Sequence, residues 1–283
     1  MRPLLVLGCG YTGTTVARRA LAQGRSVVGT VRSAERAEQV HAALRDDDAL
    51  DADVIGRLFQ LVTSPTLDAS VAQHISPETD VVIAFPPDGS TDARVAPALS
   101  GARSITYVSS TGVYGGRTGK IDDTTPLPSP PSERSQRILD GEAHYRGVGA
   151  TVLRCPGIYG PLRGLHMRIL RGEHRIPGDG SRTLSRIHVE DLASFALAAA
   201  DKRGETYVIG DRQPAPHGDV VVFVCETYGV PLPPSIPWEE VHESLRADRA
   251  VDSQRAIREL GVTLRFPSFR EGMSPLATGL SGR

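Results

Sequence analysis

A glycine-rich turn close to the start of the chain constrains the fold more than any other feature. Leu4 to Leu7 is a short apolar run that meets Gly8-Cys9-Gly10-Tyr11-Thr12-Gly13, and residues 14–23 then carry apolar side chains at helical spacing. This order predicts a strand, a tight turn and a helix. In a G-x-G-x-x-G turn the first glycine permits the sharp bend, the second lets the backbone approach a pyrophosphate, and the third lets the helix pack on the strand.

The same turn is the first candidate binding site. The N–H groups at the start of the helix favour a bound anion, so Gly8, Gly10, Tyr11, Thr12 and Gly13 are predicted to bind a dinucleotide. The chain contains 29 glycines, so chance matches to this short pattern are expected. The alternative is a turn that serves packing alone. Its position between an N-terminal strand and an amphipathic helix favours the cofactor.

Strands and helices alternate along the first half of the chain. Alternating βα units imply a parallel sheet with right-handed crossovers, so we expect an α/β fold with a Rossmann-type doubly wound sheet. The predicted strands are residues 4–7, 26–31, 57–62, 80–85, 104–109 and 150–155, and the predicted helices are 14–23, 34–44 and 189–200.

Past Pro156, glycine- and proline-rich segments interrupt this pattern. We therefore expect an NAD(P)-binding domain made of residues 1–155 and about 186–210. Residues from about 156–185 and 211–283 are expected to form a smaller C-terminal substrate lobe.

Composition argues against several classes of protein. A net charge of -1 provides no basic field for nucleic acid. No stretch reaches the roughly 20 apolar residues that a membrane helix needs, and the N-terminal apolar run is too short for a secretion signal. We expect a cytoplasmic protein with a small-molecule substrate, no nucleic acid partner and no membrane.

Cysteine and histidine give no sign of a metal site. The three cysteines, Cys9, Cys155 and Cys225, are an odd number without metal-type spacing, so we expect small buried thiols. The eight histidines contain no H-x-x-x-H or H-E-x-x-H pair. His188 is predicted to anchor the loop before a helix that begins near Val189. Asp191 is expected to belong to the same capping arrangement, with a substrate contact as the alternative.

The end of the second predicted strand indicates which dinucleotide binds. An acidic residue there would accept the ribose hydroxyls of NAD, but this strand ends Gly29-Thr30-Val31-Arg32-Ser33. Arg32 could form charge-assisted bonds to a 2′-phosphate, and Ser33 could add a hydroxyl. NADP is therefore predicted, with NAD as the weaker possibility. The alternative is a surface arginine, because all basic residues except Lys120 and Lys202 are arginine.

Four separated segments together resemble one known family. They are the glycine turn at residues 8–13, Val108-Ser109-Ser110-Thr111-Gly112-Val113-Tyr114-Gly115, Leu153-Arg154-Cys155-Pro156-Gly157-Ile158-Tyr159-Gly160-Pro161, and Arg186-Ile187-His188-Val189-Glu190-Asp191-Leu192. Their order and spacing resemble the extended short-chain dehydrogenase/reductases, specifically the NAD(P)-dependent nucleoside-diphosphate-sugar epimerase/dehydratase relatives.

The resemblance implies roles for individual residues. It makes Ser110 the hydroxyl that orients a substrate oxygen, and it makes Pro86 a residue that flanks the cofactor. Pro156, Gly157, Ile158 and Tyr159 would form the loop beside the nicotinamide ring. A homodimer is also plausible by this likeness.

The chain departs from the family at the catalytic tyrosine and lysine. Aligning the family's Y-x-x-S-K pattern places Ser132 at the tyrosine and Gln136 at the lysine, so this is an atypical active site. Serine is far less acidic than a phenol, and neutral glutamine cannot lower a neighbouring pKa. None of the seven tyrosines is followed four positions later by lysine. Tyr114 is the remaining candidate for proton transfer, with packing after the strand as its alternative role.

Two functions fit this pattern. The first is an NADP-dependent oxidoreductase or epimerase-like enzyme that binds a polar substrate, such as a sugar nucleotide, between the sheet edge and the small lobe. The second is a dinucleotide-binding sensor or interaction protein without hydride chemistry. Loss of both dyad positions favours the second, whereas Ser110 and the loop of residues 156–159 favour the first.

Overall fold

The computed structural model describes residues 1–241 and 246–279, which belong to two compact units. The first unit consists of Met1–Ser109, Gln136–Arg154 and Ala193–Thr206. The second consists of Ser110–Ser135, Cys155–Leu192 and Tyr207–Arg283. The domain bounds expected from the sequence stay a prediction.

A seven-stranded sheet has the order β12-β7-β5-β4-β1-β2-β3. The ladders that join β3, β2, β1, β4 and β5 are parallel. The strands are β1 (Leu4–Leu7), β2 (Val27–Val31), β3 (Phe59–Thr63), β4 (Asp80–Ile83), β5 (Ser104–Ser110), β7 (Thr151–Cys155) and β12 (Thr206–Val208). Helices between successive strands complete a doubly wound α/β arrangement, which confirms the predicted Rossmann-type fold.

Five α-helices and one further strand lie between these strands, up to β7. They are α1 (Tyr11–Ala22), α2 (Ala34–Arg45), α3 (Ala52–Leu58), α4 (Thr91–Val95), β6 (Thr118–Ile121) and α5 (Glu133–Arg146). The third strand begins two residues later than predicted. The Asp51 carboxylate accepts a hydrogen bond from the Asp53 N–H at 2.8 Å and caps the start of α3, and the Phe59 N–H still donates to the Ile55 carbonyl, so residues 57 and 58 belong to the last turn of that helix.

The remaining helices and strands of the described residues follow β7. They are β8 (Gly157–Tyr159), α6 (Leu165–Leu170), β9 (Ile176–Pro177), β10 (Thr183–Leu184), β11 (Arg186–His188), α7 (Val189–Ala198), β13 (Ala215–Pro216), α8 (His217–Tyr228), β14 (Ser235–Ile236), β15 (Asp248–Val251), α9 (Gln254–Leu260), α10 (Phe269–Gly272) and α11 (Pro275–Thr278). In the second unit, β13, β10, β15 and β6 form a four-stranded sheet, β11 pairs with β8, and β14 pairs with β9. The strand predicted near residues 150–155 and the helix predicted from Val189 are both present.

Each unit has its own apolar core. In the first, strands β1, β4, β5 and β7 contribute buried side chains that include Leu5, Ile83 and Val152. In the second, α8 supplies Val220, Val221 and Val224 to a cluster with residues of α10. Cys9, Cys155 and Cys225 are all buried thiols, as the sequence predicts.

The two lysines lie in different units. Lys120 is in β6, and its exposed ammonium group lies 2.7 Å from Asp252 in the second unit. Lys202 belongs to the first unit, directly after a short 3-10 helix at Ala199–Asp201. Over residues 1–241 and 246–279, no helix combines the length and apolar character needed to span a membrane.

Candidate functional site

The glycine turn has the geometry that its sequence predicts. Gly8 has φ +91°, and its N–H donates to the Thr30 hydroxyl at 2.9 Å. A Cβ on Gly13 would overlap the carbonyl oxygen of Gly8, so this glycine is required for close packing of α1. A Cβ on Gly10 would meet no atom within 4 Å. Packing therefore explains Gly13 but does not explain Gly10, which borders open space.

The start of α1 carries no acidic side chain of its own. Gly10 is the N-cap residue, no side chain of the described residues caps the helix, and its first turn contains no acidic residue. The N–H groups and the helix dipole at a helix N-terminus favour a bound anion. The turn therefore fits the pyrophosphate of a dinucleotide on geometry as well as on sequence.

A cavity of about 240 Å³ lies at the turn. Its walls come from the ends of the neighbouring strands β1, β2, β3 and β4, which is where doubly wound sheets bind their ligands. The lining residues are Gly8, Cys9, Gly10, Thr30, Val31, Arg32, Arg36, Ser64, Leu67, Ala84, Phe85 and Pro86. Burial raises the pKa of the Cys9 thiol to about 12, so it remains neutral.

Two arginines provide the positive charge of this cavity. The Arg32 guanidinium is largely exposed and lies 3.8 Å from the Asp88 carboxylate. The Arg36 Nε–H donates to the Cys9 carbonyl at 3.1 Å, which fixes its guanidinium against the glycine turn. Hydrogen bonds from Thr91 lower the pKa of Asp88 to about 2, so Arg32 faces a permanent carboxylate. Sequence reasoning missed Arg36, because its contact with the glycine turn is to a residue 27 positions away in the sequence.

Four other predicted cofactor residues lie either at the wall of the cavity or at the start of a neighbouring helix. Pro86 is exposed and lines the cavity, and its contact with the cofactor stays a prediction. The Ser33 hydroxyl caps α2 by accepting a hydrogen bond from the Arg36 N–H at 3.2 Å, so its position depends on the helix. Thr12 is buried and Tyr11 is half-buried at the start of α1, and neither residue lines the cavity.

Ser110 and Tyr114 differ sharply in environment. The half-buried Ser110 ends β5, and its hydroxyl oxygen accepts a hydrogen bond from the Gly112 N–H at 3.0 Å, so the O–H is still able to donate. Tyr114 is completely buried, and its hydroxyl donates to the Asp122 carbonyl at 3.3 Å. This placement favours the packing role of Tyr114 over proton transfer.

The two positions aligned with the missing dyad lie at the start of α5. Ser132 accepts a hydrogen bond from the Ser135 N–H at 3.2 Å and so caps the helix. Gln136 is exposed, and its amide donates to the Asp140 carboxylate at 2.7 Å. At about 100° per residue, Gln136 lies opposite the buried residues Ile138 and Tyr145. The helix face therefore gives no support for placing the lysine position at Gln136.

The predicted nicotinamide loop begins directly after β7. Gly157 is exposed, and a Cβ there would meet nothing within 4 Å. Gly157–Tyr159 forms β8, which pairs in parallel with β11. Tyr159 is buried, and its hydroxyl donates to the Ser268 carbonyl at 3.2 Å, so its ring packs inside the second unit.

His188 lies at the start of α7, as the sequence predicts, whereas the Asp191 carboxylate binds the backbone of residues 265 and 266, far along the chain. The Nδ1 of His188 accepts a hydrogen bond from the Glu190 N–H at 3.2 Å, at the start of α7. The Asp191 carboxylate accepts bonds from the N–H groups of Arg265 at 2.7 Å and Phe266 at 3.0 Å. Among the residues that the structure describes, no three His, Cys, Asp or Glu side chains are arranged to hold a metal ion.

Comparisons with known proteins agree with this geometry. A sequence model of the NAD-dependent epimerase/dehydratase family matches residues 4–210. A 3-diazoavenalumate denitrifying reductase from a Streptomyces species is 25% identical, over 96% of this chain and 99% of the relative. A UDP-glucose 4-epimerase from Mycolicibacterium smegmatis is 27% identical, over 92% of this chain and 93% of the relative. The solved structure of a functionally unknown conserved protein from Silicibacter pomeroyi has a TM-score of 0.79 at 28% identity, over 98% of each chain.

Proposed function

We propose, from the premise that this chain belongs to the NAD-dependent epimerase/dehydratase family, that it is an NADP(H)-preferring oxidoreductase or isomerase. The observation that carries the proposal is the cavity at the glycine turn, where Gly10 leaves room for a pyrophosphate and two arginines are present, Arg32 after β2 and Arg36 in the first turn of α2. Guanidinium groups recognise phosphate through charge-assisted hydrogen bonds. Arg32 and Arg36 would hold the 2′-phosphate, and the N–H groups of α1 would face the pyrophosphate.

The cofactor supplies a hydride donor or acceptor when bound, and the chain supplies binding and orientation. The O–H of Ser110 would donate to a substrate oxygen, since its own oxygen already accepts from Gly112. The chain lacks the usual tyrosine and lysine pair, so the proton would come from water, the substrate or another side chain. The proposed substrate is a small polar molecule, with a sugar nucleotide as the leading class because one relative is a UDP-glucose 4-epimerase. The homodimer and the cytoplasmic location remain part of this proposal.

Cofactor preference is tested by calorimetric titration with NADPH and NADH. We expect NADPH to bind more tightly, and we expect Arg32→Ala to weaken NADPH by roughly 10- to 100-fold, the effect of losing a charge-assisted hydrogen bond. NADH affinity should not change. Arg45→Ala is a matched control, because Arg45 is an exposed arginine at the other end of α2. Equal dissociation constants for the two cofactors in the wild-type protein would remove Arg32 and Arg36 from the site.

The missing dyad favours a second candidate function, a dinucleotide-binding sensor without turnover. Incubation with NADPH and a panel of carbonyl compounds, UDP-glucose and 3-diazoavenalumate distinguishes the two. We expect NADPH consumption or hydride exchange with at least one compound, and we expect Ser110→Ala to lower that rate at least tenfold, because the substrate oxygen loses its donor. Tight NADPH binding without turnover on any compound would favour the sensor.

A further inference from the structure

A buried ionic cluster lies beside the end of β5. Glu142 of α5 is only 1% exposed, and its carboxylate accepts four hydrogen bonds. The Ser109 hydroxyl donates to Oε1 at 2.7 Å, and Arg154 donates from Nε to Oε1 at 2.9 Å and from Nη2 to Oε2 at 2.7 Å. Arg146 adds a bond at 3.2 Å from one helical turn further on. All four residues belong to the first unit.

Stability alone does not explain this cluster. An apolar group of similar volume often stabilises a protein as well as a buried ion pair does, whereas an ion pair constrains geometry more tightly. Burial alone would raise the pKa of Glu142, but the hydrogen bonds and charge of Arg154 outweigh it and keep the pKa below its ordinary value. The carboxylate is therefore ionised at neutral pH and can hold three donor residues, Ser109, Arg146 and Arg154, in defined positions.

The cluster joins two neighbouring strands at their ends. Ser109 is the residue before the last of β5, and Arg154 is the residue before the last of β7. Ser110 follows Ser109 directly, and Cys155 leads from Arg154 into the loop that begins at Pro156. A single carboxylate thus fixes the ends of two neighbouring strands, one leading to Ser110, which is assigned to the substrate beside the nicotinamide, and one leading to the loop assigned to the nicotinamide ring.

We propose that Glu142 is a positioning residue, which holds Ser110 and the loop of residues 156–159 in place through Ser109 and Arg154. The proposal rests on the cofactor site proposed above. In the proposed site, the adenosine half of the cofactor binds at a different place, the cavity at the glycine turn and the end of β2. A loosened strand end should therefore weaken contacts with the nicotinamide half and leave those with the adenosine half intact.

The chain contains a matched control for this role. Ser104, at the opposite end of β5, donates to the buried Asp80 carboxylate at 2.7 Å. Asp80 also accepts bonds from Arg25 and Arg103, each at 2.7 Å. The two serines therefore share strand, burial and chemistry, but Ser104 is about 20 Å from the end that bears Ser110. Each serine can be removed while its carboxylate keeps its arginine partners.

The experiment measures dissociation constants for NADPH and for adenosine 2′,5′-bisphosphate, which lacks the nicotinamide half, by calorimetry. We expect Ser109→Ala to raise the Kd of NADPH by roughly threefold to tenfold and to leave the bisphosphate within about twofold. Ser109→Thr, which keeps the hydroxyl, should restore the wild-type ratio of the two constants. Ser104→Ala should lower Tm by a similar amount and leave the ratio unchanged.

Several results would overturn the proposal. Equal weakening of both ligands in Ser109→Ala would indicate a general loss of structure, and no change in either would show that the contact positions nothing. The same change in Ser104→Ala would assign the effect to stability. The proposal would also be contradicted if the wild-type protein bound NADPH no more tightly than it binds the bisphosphate. Failure of the wild-type protein to bind either ligand would instead contradict the proposed function itself.

Discussion

Two glycines of the same turn have separate physical roles. Gly13 lies where a side chain would strike the backbone of Gly8, so its role belongs to packing of α1 on β1. Gly10 has an extended backbone conformation that any residue adopts, and a Cβ on it would meet no atom of the described residues within 4 Å. Packing therefore accounts for Gly13, whereas Gly10 points to a ligand, and these are the separate roles that the motif assigns to its third and second glycines.

Alanine substitutions should separate these roles. Gly13→Ala should lower the free energy of unfolding by about 1–3 kcal/mol, because the added methyl group forces backbone to move. Gly10→Ala should change Tm little but raise the Kd of NADPH at least tenfold, because the methyl group fills space needed by the pyrophosphate. Thermal unfolding and calorimetric titration of both variants check this. Unchanged NADPH binding in Gly10→Ala would contradict the proposed position of the pyrophosphate.

Single residues were predictable where local chemistry decides their role. Gly8, Gly10 and Arg32 follow from a turn and a strand end that lie within one βα unit. The contact of Arg36 with the glycine turn depends on how α2 packs beside that turn. The contacts of Glu142 depend on β5, which precedes it in sequence, and on β7, which follows it. Their partners lie 27, 33 and 12 residues away, so no local pattern identifies them.

For helix α5, the sequence indicates that the helix exists but not which of its residues face inwards. Its existence and its position before β7 agree with the family pattern, but the four-residue spacing could be aligned in more than one register. The structure resolves which residues face inwards, since Ser135, Ile138, Glu142 and Tyr145 are buried and Gln136 is exposed. A sequence motif on a helix therefore needs the buried face as a second constraint. The third strand is a similar case, because the bond from the Phe59 N–H to the Ile55 carbonyl continues α3 into residues predicted as strand.

At the scale of the whole molecule, buried histidines are concentrated in the second unit. His166, His174, His188 and His217 are all buried there. Burial lowers the pKa of His166 and His174 to about 4, and that of His188 and His217 to about 3. Neighbouring arginines add to the shift for His174, His188 and His217. These imidazoles are therefore neutral when the unit is folded.

This distribution predicts acid sensitivity of the second unit. Below pH 6.5 the unfolded chain protonates these histidines while the folded chain does not, so stability falls as the pH drops from about 6.5 towards 4. The loss should be on the order of 1 kcal/mol per histidine at pH 5. Burial raises the pKa of Asp211 to about 7 and also raises the pKa of Asp123, which opposes the trend, but four histidines outnumber these two carboxylates.

Trp238, the only tryptophan, lies in the second unit, so its fluorescence reports that unit while circular dichroism reports both. At pH 5 the thermal transition seen by fluorescence should precede the one seen by circular dichroism. At pH 7 the two should lie closer together. Coincident transitions that do not shift between pH 7 and pH 5 would show that the buried histidines do not govern stability.

The distribution of lysine has a practical consequence for labelling. With 30 of the 32 basic residues being arginine, amine-reactive dyes have only Lys120, Lys202 and the terminal amine as targets. The two lysines belong to different units, and Lys120 carries an exposed ammonium group. Replacing either one with arginine would leave the other as the sole lysine for a dye. Lys202→Arg would leave Lys120 in the second unit and the terminal amine in the first, so a donor and acceptor pair on these two amines could follow the distance between the units as NADPH is added, without an introduced cysteine.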